Sequence, residues 1–463
     1  MEVVKELTKS AWLALKESVI EYQGRPVGTL AACDQDMIAL NYDQCFTRDF
    51  AVSALALLMK GEVEIVANFL LETLKLESQE KSIDCFKPGP GLMPASFKIE
   101  IKDGVEIIKA DFGEQAIARV APIDAGFWWL LTLRAYVKAT GDFAFARRED
   151  MQRGIKLILN TCLISRFDMF PTMLVPEGSF MIDRRLGVDG YPLDIQSLFF
   201  AALQAADELL FPEDSYRKTI RERRGYLAYH IRNYYWLNIA RLNEIHRYQV
   251  EEFGTNAVNK FNIHPETIPD WLTTWMPDTG GYFVGNLGPG RMDFRWFAQG
   301  NLIGVISGLA SPEQSQAIIE LIEQRWEQLV GYMPLKVCYP ALEGRDWELI
   351  TGCDRKNTPW SYHNAGNWPF LTWELTAAAI CTGKPELGQR AVEIAARRLQ
   401  KDQWPEYYDG RDGRLIGKQA RKFQTWTIAG FLVAQELLEN PKHLELFCFD
   451  AIPVTQGPSC WLL

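Results

Sequence analysis

Two short segments carry side chains able to break a bond by acid–base chemistry. One is Asp183-Arg184-Arg185, inside GSFMIDRRLGVDGYPLDIQSLFF. The other, more than two hundred residues downstream, is Trp404-Pro405-Glu406-Tyr407-Tyr408. Each sets one carboxylate among aromatic and guanidinium groups. Hydrolysis of a glycosidic bond needs such a pair, one acid to protonate the leaving oxygen and one base to activate water. By neighbours alone, Arg184 and Arg185 would depress the pKa of Asp183 and favour a base. The tryptophan and tyrosines beside Glu406 would desolvate it and favour an acid. Neighbours in sequence need not be neighbours in space, so both assignments stay open at this level.

Other polar and aromatic residues cluster in similar loops. Phe46, Arg48 and Asp49 open an apolar helix; Asp49 is either a helix-dipole partner or an acceptor for a sugar hydroxyl. Asp124 leads into Trp128 and Trp129, which point about 100° apart on a helix, so one should pack in the core and the other face a cavity. Asp194 and Gln196 start another helix, Arg295 ends MDFR, and Tyr362, His363, Asn364 and Trp368 lie in PWSYHNAGNW. With Arg184 and Trp404, these are the expected lining for a polyhydroxylated neutral ligand, and aromatic faces suit pyranose rings. The glycines of Asp84–Pro94 lack a following Gly-Lys-Ser/Thr or GxGxxG, so that segment reads as a rigid loop rather than a phosphate cradle.

The elements that must position these loops are helical. Apolar spacing predicts helices over 3–22, 49–60, 62–76, 122–138, 147–163, 193–210, 216–246, 296–309, 312–329, 367–381, 385–400 and 420–439. Val4, Leu7, Ala11, Leu15, Val19 and Tyr22 form the first stripe. Short breaks with helix-stop and helix-start residues (Lys60-Gly61-Glu62, Thr140-Gly141-Asp142, Ser311-Pro312-Glu313, Thr382-Gly383-Lys384-Pro385) alternate with long ones. Loops beyond about 12–15 residues in a compact domain are usually functional. Short turns on one face and long loops on the other, with 420–439 closing against the first helix, describe an all-α (α/α)6 toroid. It would be a single domain over 1–463 with its catalytic loops on one rim. Two stacked all-α domains are the alternative, disfavoured by the lack of a low-complexity linker.

Composition narrows the function. A net charge of −10 leaves no basic surplus to neutralise phosphates, which argues against nucleic acid as a partner. Nine scattered cysteines without CxxC suit reduced thiols, and five histidines without ligand spacing give no metal site. No apolar run approaches the roughly 20 residues needed to span a bilayer, and no targeting peptide is evident. The expectation is a cytoplasmic protein without cofactor or membrane partner.

The motifs FTRDF, FKPGPGLMPASFK, DFGEQAIARVAPID with FWW, GSFMIDRRLGV with YPLDIQSLFF, NKFNI, MDFRWFAQGNL, PWSYHNAGNWP and WPEYYDG with IGKQARKFQTWTIAG resemble the alkaline/neutral invertases of plants and cyanobacteria, over nearly the whole chain. The resemblance implies an (α/α)6 fold and hydrolysis of sucrose to glucose and fructose, with inversion at the glucosyl carbon. It also implies Asp183 as general acid and Glu406 as general base, which reverses the polarity suggested by their neighbours. Asp189 and Asp194 stand where the family pattern leads one to expect a histidine or tyrosine and a glutamate. The brief N-terminus is similar to cytosolic forms, and homo-oligomers are common in the family. A different disaccharide as substrate, or a catalytically silent sugar-binding toroid, are the competing readings; a terpenoid-type cyclase lacks DxDD or DDxxD here.

Overall fold

The computed structural model describes residues 2–78, 89–115, 119–163, 171–247, 265–288, 291–413, 417 and 419–452. Part of the glycine-proline loop (84–88), the NKFNI motif, Lys418 and the Trp461–Leu463 end lie outside the described residues. Twelve helices organise the described residues. They are α1 (Glu2–Glu17), α2 (Thr47–Met59), α3 (Val63–Leu76), α4 (Asp124–Thr140), α5 (Glu149–Cys162) and α6 (Leu193–Leu209), followed by α7 (Tyr216–His230), α8 (Ala298–Ile306), α9 (Pro312–Gln324), α10 (Thr372–Cys381), α11 (Pro385–Ala396) and α12 (Thr425–Glu439). Further helices of nine residues or fewer lie between them.

Six of the twelve form a closed cycle of contacts: α2 on α4, α4 on α6, α6 on α8, α8 on α10, α10 on α12, and α12 back on α2. The other six lie outside it. Thus α1 covers α12, α7 covers α6, α9 lies against α8 and α10, and α11 lies against α10 and α12. The sequence distinguishes the two sets physically. An outer helix such as α5 buries one stripe, Met151, Ile155, Ile158, Leu159 and Cys162, and turns Glu149 and Asp150 outward. An inner helix is apolar on all sides; α2 buries every residue except Arg48. Small residues allow the close approaches. A Cβ on Gly300 of α8 would come within 2.5 Å of Asp194 Oδ1 on α6.

The helix-stop signals operate as read. Gly141 ends α4 at φ +70°, and its N–H bonds the Val137 carbonyl. Ser311 and Gln314 form a reciprocal capping box at the start of α9. The expected helix boundaries need correction where strands intrude. Helix α1 stops at Glu17, because Val19–Tyr22 turns back through Gln23-Gly24, both at positive φ, to pair with Arg25–Thr29 as β1 and β2. The helix expected over 216–246 is broken, since Trp236-Leu237 pairs with Phe283 and Tyr282. Helices α8, α10 and α12 begin later than expected because their run-ins are extended or 3-10 in form.

The protein is therefore mainly α-helical rather than all-α. Besides β1–β2 it holds a three-stranded antiparallel sheet, β3 (Cys45–Phe46), β4 (Ser96–Lys102) and β5 (Val105–Asp111). A four-stranded one comprises β6 (Trp236–Leu237), β7 (Tyr282–Gly288), β8 (Arg291–Phe297) and β9 (Cys338–Tyr339). One large cluster of buried apolar residues runs from Leu7 to Phe447, beside a small one of Leu92, Phe112 and Ala121. The C-terminal segment straps across it: Arg134 donates to the carbonyls of Glu445, Leu446 and Cys448, and Phe447 packs edge-on against Trp373.

Glu77, at the end of α3, is buried, and burial pushes its carboxyl up to about 8 against the pull of Arg153. The folded pKa lies above the unfolded value, so its contribution to stability is complete below about pH 4.5 and is lost as pH rises through about 8. Glu77→Gln should therefore stabilise the protein by about 1–3 kcal/mol at pH 9 and by close to nothing at pH 4. Urea unfolding at the two pH values measures the difference.

Candidate active site

A cavity of about 730 Å3 opens where α2, α4 and α12 begin, and its wall contains both carboxylates, Asp183 and Glu406. Phe46, Arg48, Asp49, Asp124, Arg184, Tyr362, His363 and Trp368 also line it. The C-terminal ends of α4, α6, α8 and α10 gather instead around a second cavity beneath the C-terminal strap, lined among others by Lys138, Glu208, Val305 and Thr382. Long loops thus serve the first cavity, and the short turns at Ser311-Pro312 and Thr382-Gly383 serve the other end.

The Asp183 loop is held from behind. Glu177 Oε1 accepts the backbone N–H groups of Leu186 (2.5 Å), Gly187 (2.6 Å) and Val188 (3.2 Å). Arg295, locked in a buried pair with Asp293, donates to the Leu186 carbonyl at 2.8 Å. Asn286 accepts from the Tyr191 N–H at 3.0 Å and donates to the Asp189 carbonyl. The Glu406 loop is pinned by the Glu406 N–H to the Arg421 carbonyl (2.8 Å) and by paired backbone bonds between Tyr408 and Asn367.

The environments of the two acids differ. Burial raises the pKa of Asp183, opposed by Arg48, Lys356 and Arg184 and reinforced by Glu406. Its Oδ1 is the buried atom, while 31% of the side chain stays open to the cavity. The expected depression by neighbouring arginines is corrected here. Arg184 is committed to Asp354, its Nη1 lying 2.8 and 2.7 Å from the two carboxylate oxygens, and Arg185 is exposed. Glu406 Oε1 accepts the Tyr42 O–H at 2.7 Å, and the Lys356 ammonium lies 3.5 Å from Oε2 as an ion pair without a hydrogen bond. Burial, then the nearby Glu406 charge, pushes the Tyr42 phenol well above its usual range, which keeps it a donor.

Around them, Arg48 donates to Asp124 at 2.6 Å and lies 4.0 Å from Asp49. Burial raises Asp49 to about 7 and raises Asp124 as well. Tyr362 carries Lys356 over its ring at 3.9 Å, and Trp368 stacks on Tyr407.

Seven residues expected at the wall lie elsewhere. Trp129 is in the core with its indole N–H on Thr73, and Trp128, one turn deeper than Asp124, lines a small apolar pocket between inner helices. Asp194 accepts from the Gly300 N–H and ties α6 to α8; Gln196 makes two bonds to the Met173 backbone. Arg295 braces the Asp183 loop, Asn364 clamps the Leu342 backbone, and Trp404 packs against Phe431. Trp128 and Trp129 lie a turn inside α4, where a rise of 1.5 Å per residue has already carried the chain from the mouth. The four polar residues spend their groups on backbone braces, and Trp404 packs in the core. Among the wall residues that sequence reasoning missed are Tyr42, Lys356, Arg421 and Trp426. Tyr42 sits in the same loop as Arg48, which was a usable signal; Lys356, in DRKNTP, had none.

Two carboxyls in one aromatic-walled cavity, at one end of a helical ring, define a glycoside hydrolase. A family model for alkaline and neutral invertases matches residues 11–441. Cytosolic invertase 1 of Oryza sativa is 56% identical over 461 residues, covering 97% of this chain and 82% of that protein. Alkaline/neutral invertase CINV1 of Arabidopsis thaliana is 55% identical over 462 residues, covering 97% and 84%. Among solved structures, a rhamnosidase from Klebsiella oxytoca with rhamnose bound superposes with a TM-score of 0.57 at 13% identity, over 94% of this chain and 64% of that one. The chain belongs to the alkaline and neutral invertase family.

The Glu177 anchor is testable without an activity assay. Hydrogen bonds to a charged acceptor contribute about 1.5–3 kcal/mol each. Glu177→Gln should speed amide exchange at Leu186, Gly187 and Val188 by roughly tenfold or more, with α6 unaffected. Exchange mass spectrometry on the 183–192 peptide reads this directly.

Proposed function

We propose that the protein hydrolyses sucrose to glucose and fructose in a single displacement that inverts the glucosyl anomeric carbon. Asp183 is the general acid and Glu406 the general base. The observation that carries this reading is the contrast between the two carboxyls. Asp183 is held toward its proton-bearing form by burial, whereas Glu406 accepts the Tyr42 O–H and pairs with the Lys356 ammonium, and so presents itself as an acceptor. The steps balance simply. Asp183 gives its proton to the bridging oxygen as the glucosyl C–O bond breaks; water attacks that carbon from the other side and yields a proton to Glu406. Fructose leaves with the bridging oxygen, and the two carboxyls are reset by exchange with solvent.

Arg48, Asp49 and Asp124 at the helix starts would bind sugar hydroxyls, with the half-buried Phe46 offering an aromatic face. The closed cycle of inner helices supports an (α/α)6 toroid acting as one domain over 1–463. Free cysteines among the described residues suit a cytoplasmic protein, which we take to act as a homo-oligomer; sedimentation at micromolar concentration should give a mass above that of one chain.

An NMR time course of sucrose cleavage should show β-glucose first, mutarotating later. Initial release of α-glucose overturns the inverting mechanism. Asp183→Asn and Glu406→Gln should each lower kcat by about 10²–10⁴-fold with thermal unfolding still cooperative; retained turnover in either rejects that role.

A further inference from the structure

Two buried polar atoms at the cavity wall face one another, and neither has a hydrogen-bond partner: Asp183 Oδ1 and His363 Nδ1, 3.6 Å apart. Such paired vacancies are uncommon, because buried polar atoms are generally satisfied. The imidazole is held firmly. Its ring stacks on Trp368 at 5.1 Å with 23° between planes and lies against Tyr362 at 4.1 Å. The His363 backbone N–H donates to Asn357 Oδ1 at 3.1 Å, and Asn357 in turn donates to the Arg185 carbonyl, two residues past Asp183. One asparagine therefore ties the His363 segment to the Asp183 segment. Burial, followed by the three cations Lys356, Arg184 and Arg48, holds the imidazole neutral, with one N–H to place.

We propose that His363 is a positioning residue for the proton donor: its Nδ1–H is directed at Asp183 Oδ1, which makes that oxygen the carbonyl of the acid and leaves the transferable proton on Oδ2. The inference rests on the reading of Asp183 as general acid. A carboxylic acid has one accepting and one donating oxygen, and a donor facing Oδ1 decides which is which. The opposite tautomer would set a lone pair of the ring against Oδ1, or draw the acid's proton away from substrate. Once Oδ2 has passed its proton to the bridging oxygen, Oδ1 shares a negative charge and the contact becomes a charge-assisted hydrogen bond. The interaction is thus stronger after proton transfer than before, which is the condition for lowering a barrier. The separation of 3.6 Å exceeds hydrogen-bond length, and in the proposed role this contact tightens with substrate bound.

The test uses a substrate whose leaving group needs no proton. His363→Phe keeps a ring for stacking and removes the N–H; His363→Asn restores an N–H near the position of Nδ1. On sucrose, His363→Phe should lower kcat by about 10²-fold with KM within about threefold, and His363→Asn should recover at least tenfold of that. On α-glucosyl fluoride, which expels fluoride unaided, His363→Phe should stay within about threefold of the unaltered enzyme, as should the control Asp183→Asn. If Asp183→Asn loses turnover of the fluoride as severely as of sucrose, the acid reading itself fails. If Asp183→Asn keeps the fluoride activity but His363→Phe loses both substrates equally, or neither, the role of His363 is overturned and the acid reading stands. Should His363→Phe not fold, His363→Asn against His363→Gln decides: the longer amide reaches the Nε2 position, so Asn must outperform Gln on sucrose alone.

Discussion

Closure of the six-helix cycle is the constraint from which the site follows. Because α2 packs on both α4 and α12, and the remaining inner helices complete the circuit, the helix starts at Arg48, Asp124 and Gln424 are brought to one mouth. Helix N-termini carry unpaired N–H groups and the positive end of the peptide dipole. A mouth built from several of them tolerates a concentration of acids, here Asp49, Asp124, Asp183 and Glu406, that would repel one another elsewhere. Arg48 and Lys356 supply the rest of the compensation, each within 4.0 Å of a carboxylate.

The polarity of the acid pair shows why composition around a residue is a poor guide to its chemistry. Arg184 adjoins Asp183 in sequence yet spends its guanidinium on Asp354, and Arg185 turns to solvent. Of the cations that act on Asp183, Arg48 and Lys356, more than a hundred residues away on either side, outweigh Arg184. Likewise Glu406 is flanked by tyrosine, but the phenol that reaches it belongs to Tyr42. Backbone geometry decided these partnerships, and local sequence does not contain it.

What was legible in the sequence follows the same division. Helices α3, α6 and α11 were readable because periodicity and stop signals are local properties, and Gly141 and Ser311 act as read. The loops that meet at the cavity were also legible, since they are long and polar. The strands were not: Val19–Tyr22 continues the spacing of α1 well enough to pass for its last turn, and only Gln23-Gly24 signals the reversal. Within the loops, residue type could not separate a wall residue from a brace. Arg295 and Asn364 have the chemistry of sugar ligands and use it on backbone carbonyls instead. Lys356 was invisible because a single lysine in a polar loop has no pattern to detect.

The contact between α2 and α12 also bears on how the chain is made. Helix α2 is buried at every position but one, and the partner that closes the circuit begins at Thr425. At roughly 5–20 residues per second, synthesis of the intervening segment occupies on the order of a minute. Throughout that interval the flank of α2 reserved for the final inner helix is apolar and uncovered. A nascent chain in this state presents a natural surface for a holding chaperone, and ring closure becomes a late event whose timing is set by the ribosome.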